Sequence, residues 1–278
     1  MSTEARRPGG RASVRRFLEM KTEGRRIVAM TAYDVLFARI LEEAGVDLVL
    51  VGDSLGQVVL GYDSTIPVTL DEMIHHARAV KRGAPGTLVV LDMPFMTYQA
   101  SVEDALRNAG RAMKEAGVEA VKLEGGNQRT CETIHALVEA GIPVMGHIGL
   151  TPQSVHALGG YRVQGRSDAE ADRIRAEAAA LEEAGVFSMV LELLPAPLAR
   201  EISESLTVPT IGIGAGDGCD GQVLVLYDAL GLNPGFKPRF LKRFAELHDA
   251  ALEGVKRYAE EVRAGTYPDP DHSFEASS

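Results

Sequence analysis

A four-residue phrase, Glu-Ala-Gly followed by Val or Ile, recurs along the chain. Its copies lie at 43–46, 115–118, 139–142 and 183–186. Each copy ends a stretch with helical periodicity and begins an apolar run, and Gly commonly takes the left-handed conformation that ends a helix. Repeated helix-to-strand junctions predict alternating strands and helices, and therefore a parallel sheet.

Eight short apolar runs lie along the chain, and stretches with helical periodicity separate most of them. The apolar runs cover 27–32, 48–51, 88–91, 120–123, 144–146, 189–193, 210–213 and 222–226. The helical stretches cover 35–43, 70–82, 102–116, 130–140, 168–184 and 197–206. Eight β/α units in 278 residues predict an α/β fold, a single-domain (β/α)8 TIM barrel. The alternative, an open doubly wound sheet, usually has fewer strands and a dinucleotide-binding fingerprint.

The sequence predicts one folded domain with a tail at each end. We predict a barrel domain at 17–266, between a flexible N-terminal tail at 1–16 and a C-terminal tail at 267–278. The seventh β/α unit is the weakest, because a glycine-rich loop leaves little room for a helix before Gln222. A helical stretch predicted at 237–264 would close the ring and is a candidate for contact with a neighbouring subunit.

Composition narrows the class of partner. The formal net charge of −10 repels phosphate backbones and no basic patch relieves it, so we expect no nucleic-acid partner. No apolar run approaches the roughly 20 residues that span a bilayer, so we expect no membrane insertion. The two cysteines, Cys131 and Cys219, have no metal-finger spacing and predict neither a disulfide framework nor a zinc site. We therefore predict a cytoplasmic protein that acts on small molecules.

Polar side chains follow several of the apolar runs at the point where each predicted strand ends. They are Asp53, Asp92, Glu124, His147 and Glu192. In TIM barrels the chemistry lies at the carboxyl ends of the strands, so these residues are the first candidates for a site. Because residues two apart on a strand face the same side, Lys122 and Glu124 are expected to point together into the barrel mouth.

Each of these positions also has a structural interpretation. Asp53 and Ser54 are typical of a helix cap or a turn, Asp92 is typical of a turn, and Lys122 with Glu124 is typical of a structural ion pair. Three carboxylates on one rim would repel each other strongly, however, so we expect a bound cation or a compensating basic side chain. Ligands that are all oxygen atoms favour Mg²⁺.

Glu192 and His147 are the candidates for proton transfer. The apolar neighbours of Glu192 disfavour its charged form, which suits a general base, although a structural hydrogen bond to a neighbouring strand is the alternative. His147 is assigned a supporting role, orienting or electrostatic. The glycine-rich loop at 212–218 does not fit the dinucleotide fingerprint. It is compatible with close approach of a flat or anionic ligand, or simply with tight turning.

Long collinear strings of the sequence resemble the ketopantoate hydroxymethyltransferase family. These strings are MTAYD at 30–34, LVGDS at 50–54, DST at 63–65, RGAP at 82–85, KLEGG at 122–126, GHIGLTPQS at 146–154, GGYRVQGR at 159–166, IGIGAG at 211–216 and HSF at 272–274. The resemblance runs from about Phe17 to Phe274. It implies a barrel of the phosphoenolpyruvate/pyruvate-binding type that assembles as a homodecamer and binds one Mg²⁺ per subunit.

The resemblance also implies the reaction and its site. The reaction is transfer of a hydroxymethyl unit from methylene tetrahydrofolate to 3-methyl-2-oxobutanoate (α-ketoisovalerate), the first committed step of pantothenate biosynthesis. Asp53 and Asp92 would bind the metal, with Glu124 a ligand directly or through water. Asp53, Ser54, Asp92 and Lys122 would contact the keto acid.

The implied mechanism resembles that of metal-dependent aldolases. Mg²⁺ would stabilise an enolate of the keto acid once Glu192, the proton acceptor, removes a proton. Lys122 would neutralise oxyanion charge, and His147 would help to fix the substrate. One alternative is a Schiff base on Lys122. Two others are a folate-independent lyase or mutase acting on a related keto acid, and a binding barrel without catalysis.

Overall fold

Eight parallel strands close into a barrel in chain order. They are β1 (Ile27–Thr31), β2 (Leu48–Val51), β3 (Leu88–Asp92), β4 (Ala120–Lys122), β5 (Val144–Gly149), β6 (Ser188–Glu192), β7 (Thr210–Ile213) and β8 (Gly221–Leu224). The ring is completed by pairing of β1 with β8, with Ile27 opposite Gly221. The prediction of a (β/α)8 TIM barrel is confirmed.

The computed structural model describes residues 13–274, which fall into two compact units divided between Val225 and Leu226. The first unit contains the barrel and the helices α1 (Val14–Thr22), α2 (Val35–Ala44), α3 (Leu55–Val58), α4 (Leu70–Gly83), α5 (Val102–Arg111), α6 (Gln128–Glu139), α7 (Val155–Leu158), α8 (Asp168–Glu183) and α9 (Ala196–Ser205). A π-helical segment, Ala112–Ala116, continues α5, and a 3₁₀ turn, Pro152–Ser154, precedes α7.

The second unit contains α10 (Leu226–Ala229), α11 (Leu247–Ala264) and a 3₁₀ turn, Pro270–His272. The predicted tail at 1–16 lies mostly outside the described residues, and the limits 17 and 266 stay a prediction. Within 13–274, no helix combines the length and the apolar character needed to cross a membrane.

The expected helix at 237–264 begins only at Leu247, so the prediction was wrong for its first ten residues. Pro238 has no backbone N–H to donate within a helix. Further along, Phe244 N–H donates to the Ala229 carbonyl and Leu247 N–H to the Leu230 carbonyl. These backbone groups are satisfied outside a helix, so the segment has no need to form one.

The ends of the helices follow from local sequence. The glycine of every Glu-Ala-Gly phrase has a positive φ, as the helix-to-strand prediction required; these are Gly45, Gly117, Gly141 and Gly185. At the other end, capping side chains accept backbone N–H bonds; these are Asp34, Thr69, Ser101, Asn127 and Ser167. No helix separates β7 from β8, as the glycine-rich loop indicated.

Alternate strand residues fill the barrel interior. They form one buried apolar cluster: Ile27, Ala29, Leu48, Leu50, Leu88, Val90, Ala120, Met145, Val190, Ile211 and Val223. Two residues further toward the carboxyl ends of β3 to β6, the same side of each strand presents a polar residue. These residues are Asp92, Lys122, His147 and Glu192. The strand period thus places a charged layer directly above an apolar one.

Helix α1 closes the amino end of the barrel. Phe17 and Met20 belong to the interior cluster and are 2% and 1% exposed. The Phe17 ring meets that of Phe187, just before β6, edge to face at 6.0 Å between centroids. The ammonium of Lys21 binds the carboxylate of Asp220, which precedes β8. The amino ends of the strands are therefore covered, and the carboxyl ends carry the polar layer.

Helix α4 approaches α2 so closely that Gly83 has no room for a side chain. A Cβ at Gly83 would lie 2.5 Å from the Val35 carbonyl oxygen and 2.7 Å from Ala38 Cβ. We expect Gly83→Ala to lower the free energy of unfolding by about 1–3 kcal/mol, because the helices must move apart. Urea denaturation measures the change.

The matched control is Gly110→Ala in α5, where an added Cβ meets no heavy atom of the described residues within 4 Å. This variant should gain about 0.5–1 kcal/mol from helix propensity. Equal stability of the two variants would contradict the close approach of α2 and α4.

Candidate active site

The carboxyl ends of neighbouring strands bring the predicted residues to one rim of the barrel. Asp53 follows β2, Asp92 ends β3, Lys122 ends β4 and Glu124 lies just beyond it, while His147 lies in β5. All are buried, with at most 6% of their surface exposed. The period-two rule therefore correctly places Lys122 and Glu124 together.

Lys122 is paired with Asp92 at the centre of the rim. The register of β3 and β4 sets the two residues side by side, and Lys122 Nζ lies 2.6 Å from Asp92 Oδ1. It also lies 3.8 Å from Glu124 Oε1. Burial lowers the pKa of Lys122, but the attraction of Asp92, Glu124 and Asp53 outweighs it and raises the pKa above its usual value. The ammonium group therefore stays charged.

Asp53 and Asp92 meet above β2 and β3. The Asp53 N–H points to Asp92 Oδ2 at 3.4 Å, a long contact, and Asp53 Oδ2 accepts a bond from Gln153 Nε2 at 2.9 Å. Burial raises the pKa of Asp53 well above its usual value, and repulsion from Asp92 and Glu124 adds to this. Burial also raises the pKa of Asp92, more than Lys122 lowers it. Without a further cation, the rim therefore disfavours ionisation of both aspartates.

His147 lies between two carboxylates. Its Nδ1 is 3.4 Å from Glu124 Oε1 and its Nε2 is 3.3 Å from Glu192 Oε2, although neither contact has the alignment of a normal hydrogen bond. Burial and Lys122 lower the pKa of His147, but Glu124 and Glu192 outweigh them and raise it to about 9. At neutral pH the ring is therefore an imidazolium that links the two glutamates.

Glu124 differs from the two aspartates, because its neighbours lower its pKa more than burial raises it. Burial raises its pKa, but His147, Lys122 and the backbone N–H of Gln153 together lower it below the usual value. That N–H donates to Glu124 Oε2 at 3.0 Å. Glu124 is therefore held as a carboxylate, with basic groups on one oxygen and a backbone donor on the other.

Glu192 is the most open member of the set, with 18% of its side chain exposed. Its apolar neighbours in sequence do not enclose it fully. Its carbonyl accepts a bond from the Leu150 N–H at 2.9 Å. Gly149 packs against the same carbonyl, where a Cβ would lie only 2.2 Å from the oxygen. The next residue, Leu193, has φ +46, a strained conformation for Leu.

Ser54 does not act as a helix cap through its side chain. Its hydroxyl instead bonds the Tyr33 hydroxyl at 2.8 Å, and Tyr33 is 1% exposed. The capping interpretation is therefore not supported for Ser54. The Ser54 hydroxyl, next to Asp53 in the chain, is therefore held by the buried Tyr33.

Two residues of the rim were missed by sequence reasoning, Gln153 and Tyr98. Gln153 bonds Asp53 and Glu124, and the Tyr98 hydroxyl bonds Gln153 Oε1 at 3.0 Å. Gln153 carried a usable signal, because it follows the β5 strand within a string of the family resemblance. Tyr98 lies in a loop six residues after Asp92, and nothing in the local pattern marks it.

The glycine-rich loop after β7 packs tightly. A Cβ at Gly218 would lie 2.6 Å from Arg200 Cβ in α9, and one at Gly212 would lie 2.9 Å from Cys219 Sγ. These contacts support the turning and packing interpretation of the loop.

The chemistry of the rim suits a hard divalent cation. When all are ionised, the carboxylates of Asp53, Asp92, Glu124 and Glu192 exceed the cationic groups of Lys122 and His147 by two negative charges. Carboxylate oxygens are the ligands that Mg²⁺ prefers. Within 13–274, however, no three His, Cys, Asp or Glu side chains are gathered into a metal-binding cluster. The donor set fits Mg²⁺ in kind and in charge.

A closed parallel barrel with buried charged residues at the carboxyl ends of its strands is the architecture of TIM-barrel enzymes. Solved structures share this fold. They include phosphonopyruvate hydrolase in complex with oxalate and Mg²⁺, with TM-score 0.61, 14% identity and coverage of 95% of this chain and 91% of that one. For 2,3-dimethylmalate lyase, of the PEP mutase/isocitrate lyase superfamily, the TM-score is 0.60 at 19% identity, covering 95% and 93%.

The model of the ketopantoate hydroxymethyltransferase family matches residues 11–270. A 3-methyl-2-oxobutanoate hydroxymethyltransferase of Moorella thermoacetica is 60% identical over 92% of this chain and 94% of its own. One of Syntrophus aciditrophicus is 58% identical over 92% and 93%. The chain therefore belongs to the ketopantoate hydroxymethyltransferase family of enzymes, as the sequence resemblance indicated.

The Lys122–Asp92 pair can be tested through stability. We expect Lys122→Met to lower the free energy of unfolding of the metal-free protein by about 3 kcal/mol, because it leaves buried carboxylates without their cation. Adding Asp92→Asn should recover part of the loss. Urea denaturation of wild type and of the single and double variants measures both effects. Additive losses in the double variant would contradict the pairing.

Proposed function

We propose that this protein transfers a hydroxymethyl unit from methylene tetrahydrofolate to 3-methyl-2-oxobutanoate, giving ketopantoate at the first committed step of pantothenate biosynthesis. The names of relatives up to 60% identical support this substrate. The observation that carries the proposal is the buried rim, where Lys122 contacts Asp92 and Glu124 and Asp53 adds a third buried carboxyl group. Such an excess of buried negative charge is costly without a bound cation.

Asp53 and Asp92 would hold one Mg²⁺ per subunit, with Glu124 a ligand directly or through water. When bound, Mg²⁺ supplies positive charge beside the oxygens of the keto acid, which makes the adjacent carbon more acidic. The raised pKa values of Asp53 and Asp92 support this assignment, since burial and mutual repulsion are what a cation would offset.

Lys122 and Ser54 would contact the keto acid, together with Asp53 and Asp92. The Lys122 ammonium supplies a fixed positive charge for a carboxylate or for a developing oxyanion. The Ser54 hydroxyl bonds the Tyr33 hydroxyl and would supply a hydrogen bond to the keto acid. Together these groups would fix the orientation of the keto acid.

Glu192 would remove the proton from the carbon next to the ketone. Its Oε2 faces His147, so Oε1 would be the oxygen that accepts the proton. His147 Nε2 lies 3.3 Å from Glu192 Oε2, so the ring would help to hold the carboxyl group in place. Glu192 is also the most exposed member of the cluster, so it can reach a substrate lying above the buried residues.

The alternative of a Schiff base on Lys122 requires a neutral amine. Lys122 Nζ lies 2.6 Å from one carboxylate oxygen and 3.8 Å from another, which favours the ammonium form. Its environment therefore supports an electrostatic role rather than a nucleophilic one. The homodecamer and the cytoplasmic location implied by the family stay predictions.

We expect Glu192→Gln to keep the affinity for keto acid and Mg²⁺ but to lose at least 100-fold of the exchange of the substrate proton in deuterated water, because the proton acceptor is gone. Proton NMR of the keto acid measures the exchange without folate. Glu132→Gln, at an exposed site on α6, is the control and should exchange at the wild-type rate. Undiminished exchange in Glu192→Gln would remove this residue from the role.

Removal of the metal tests the reaction class. Ketopantoate formation should require methylene tetrahydrofolate, should stop in EDTA and should return when Mg²⁺ is added back in excess. Borohydride treatment with keto acid should leave Lys122 unlabelled in mass spectra. Turnover without folate would point to a lyase or mutase, and labelled Lys122 with activity in EDTA would overturn the metal assignment.

A further inference from the structure

The side-chain amide of Gln153 uses all of its hydrogen-bonding capacity. Its Nε2 donates to Asp53 Oδ2 and to the Met93 carbonyl, each at 2.9 Å. Its Oε1 accepts from the Tyr98 hydroxyl at 3.0 Å and from Gln99 Nε2 at 3.1 Å. The residue is 5% exposed, so water cannot readily replace these partners.

This pattern admits only one orientation of the amide. Turned over, Oε1 would face the Asp53 carboxylate and the Met93 carbonyl, both of which are acceptors. Nε2 would then face the amide nitrogen of Gln99, another donor. The surrounding residues therefore keep the Nε2 group of Gln153, a hydrogen-bond donor, directed at Asp53.

The backbone of the same residue holds a second carboxylate. The Gln153 N–H donates to Glu124 Oε2 at 3.0 Å. Asp53 follows β2 and Glu124 follows β4, so one residue bonds two carboxylates that flank Asp92 at the end of β3. Gln153 bonds only one oxygen of each carboxylate, so its amide does not contact Asp53 Oδ1. Glu124 Oε1 faces Lys122 and His147 instead.

Tyr98 supports this arrangement from the side. It is 3% exposed, so its hydroxyl bonds protein groups rather than bulk water. The hydroxyl donates to Gln153 Oε1 and accepts from the Glu124 N–H at 3.1 Å. Tyr98 therefore fixes both the amide of Gln153 and the backbone that carries Glu124.

We propose that Gln153 is a positioning residue, which holds the carboxylates of Asp53 and Glu124 in the orientation that receives the divalent ion. Buried carboxylates repel each other, and each lost donor frees one of them to turn away from its position at the rim. The inference rests on the proposed function, because it assumes that Asp53 and Glu124 bind metal. It assigns Gln153 a role through these residues, without contact with the ion.

The test is calorimetric titration of the metal-free protein with Mg²⁺ alone. Gln153→Met keeps the length of the side chain and removes its hydrogen bonds, and we expect it to bind Mg²⁺ about 10–100-fold more weakly, as is usual on loss of a partner that orients a ligand. Tyr98→Phe removes only the hydroxyl and should lose about threefold, a smaller effect because Gln99 still bonds the amide. Gln128→Met, exposed on α6, should bind as wild type does.

Activity gives a second readout. Saturating Mg²⁺ should restore most of the kcat of Gln153→Met, because the positioning defect weakens the metal without removing a reacting group. Wild-type Mg²⁺ affinity in a folded Gln153→Met would overturn the proposal and leave the proposed function standing. If that variant does not fold, unchanged affinity in Tyr98→Phe overturns it. Wild-type protein that takes up no divalent ion would remove the metal site and this role together.

Discussion

The site depends on keeping several like charges together out of water. An apolar layer lies beneath the rim, and solvent cannot screen the carboxylates from that side. Lys122 and His147 supply fixed positive charge between them, each in contact with two acidic side chains. This balance explains why Glu124 stays ionised while Asp53 and Asp92 resist ionisation. The barrel makes it possible, because parallel strands end at one rim and deliver their side chains at fixed spacing.

The fold could be predicted because its signals are local and repeated. The four Glu-Ala-Gly phrases mark helix-to-strand junctions, and each glycine has the backbone conformation that this role requires. Helix α1 was not predicted, because its apolar residues Phe17 and Met20 pack against strands that are distant in sequence. The segment before Leu247 was misassigned because helical periodicity does not reveal that the Phe244 N–H bonds the Ala229 carbonyl.

The charged part of the site could be predicted from the same periodicity. Asp92, Lys122 and Glu124 lie at strand ends, and period two alone brings Lys122 beside Glu124. Gln153 and Tyr98 could not be found in this way, because loops rather than strands place them. Their importance lies in the direction of hydrogen bonds between distant segments, which no local pattern encodes.

The seal that α1 forms at the amino end of the barrel has a kinetic consequence. Phe17 and Met20 cover that end and apolar side chains fill the interior, so both reactants must use the mouth at the other end. A small keto acid bound at the charged rim would lie beneath a bulky folate, which would block the way out. With the folate above it, the keto acid of the proposed reaction would enter first and its product would leave last.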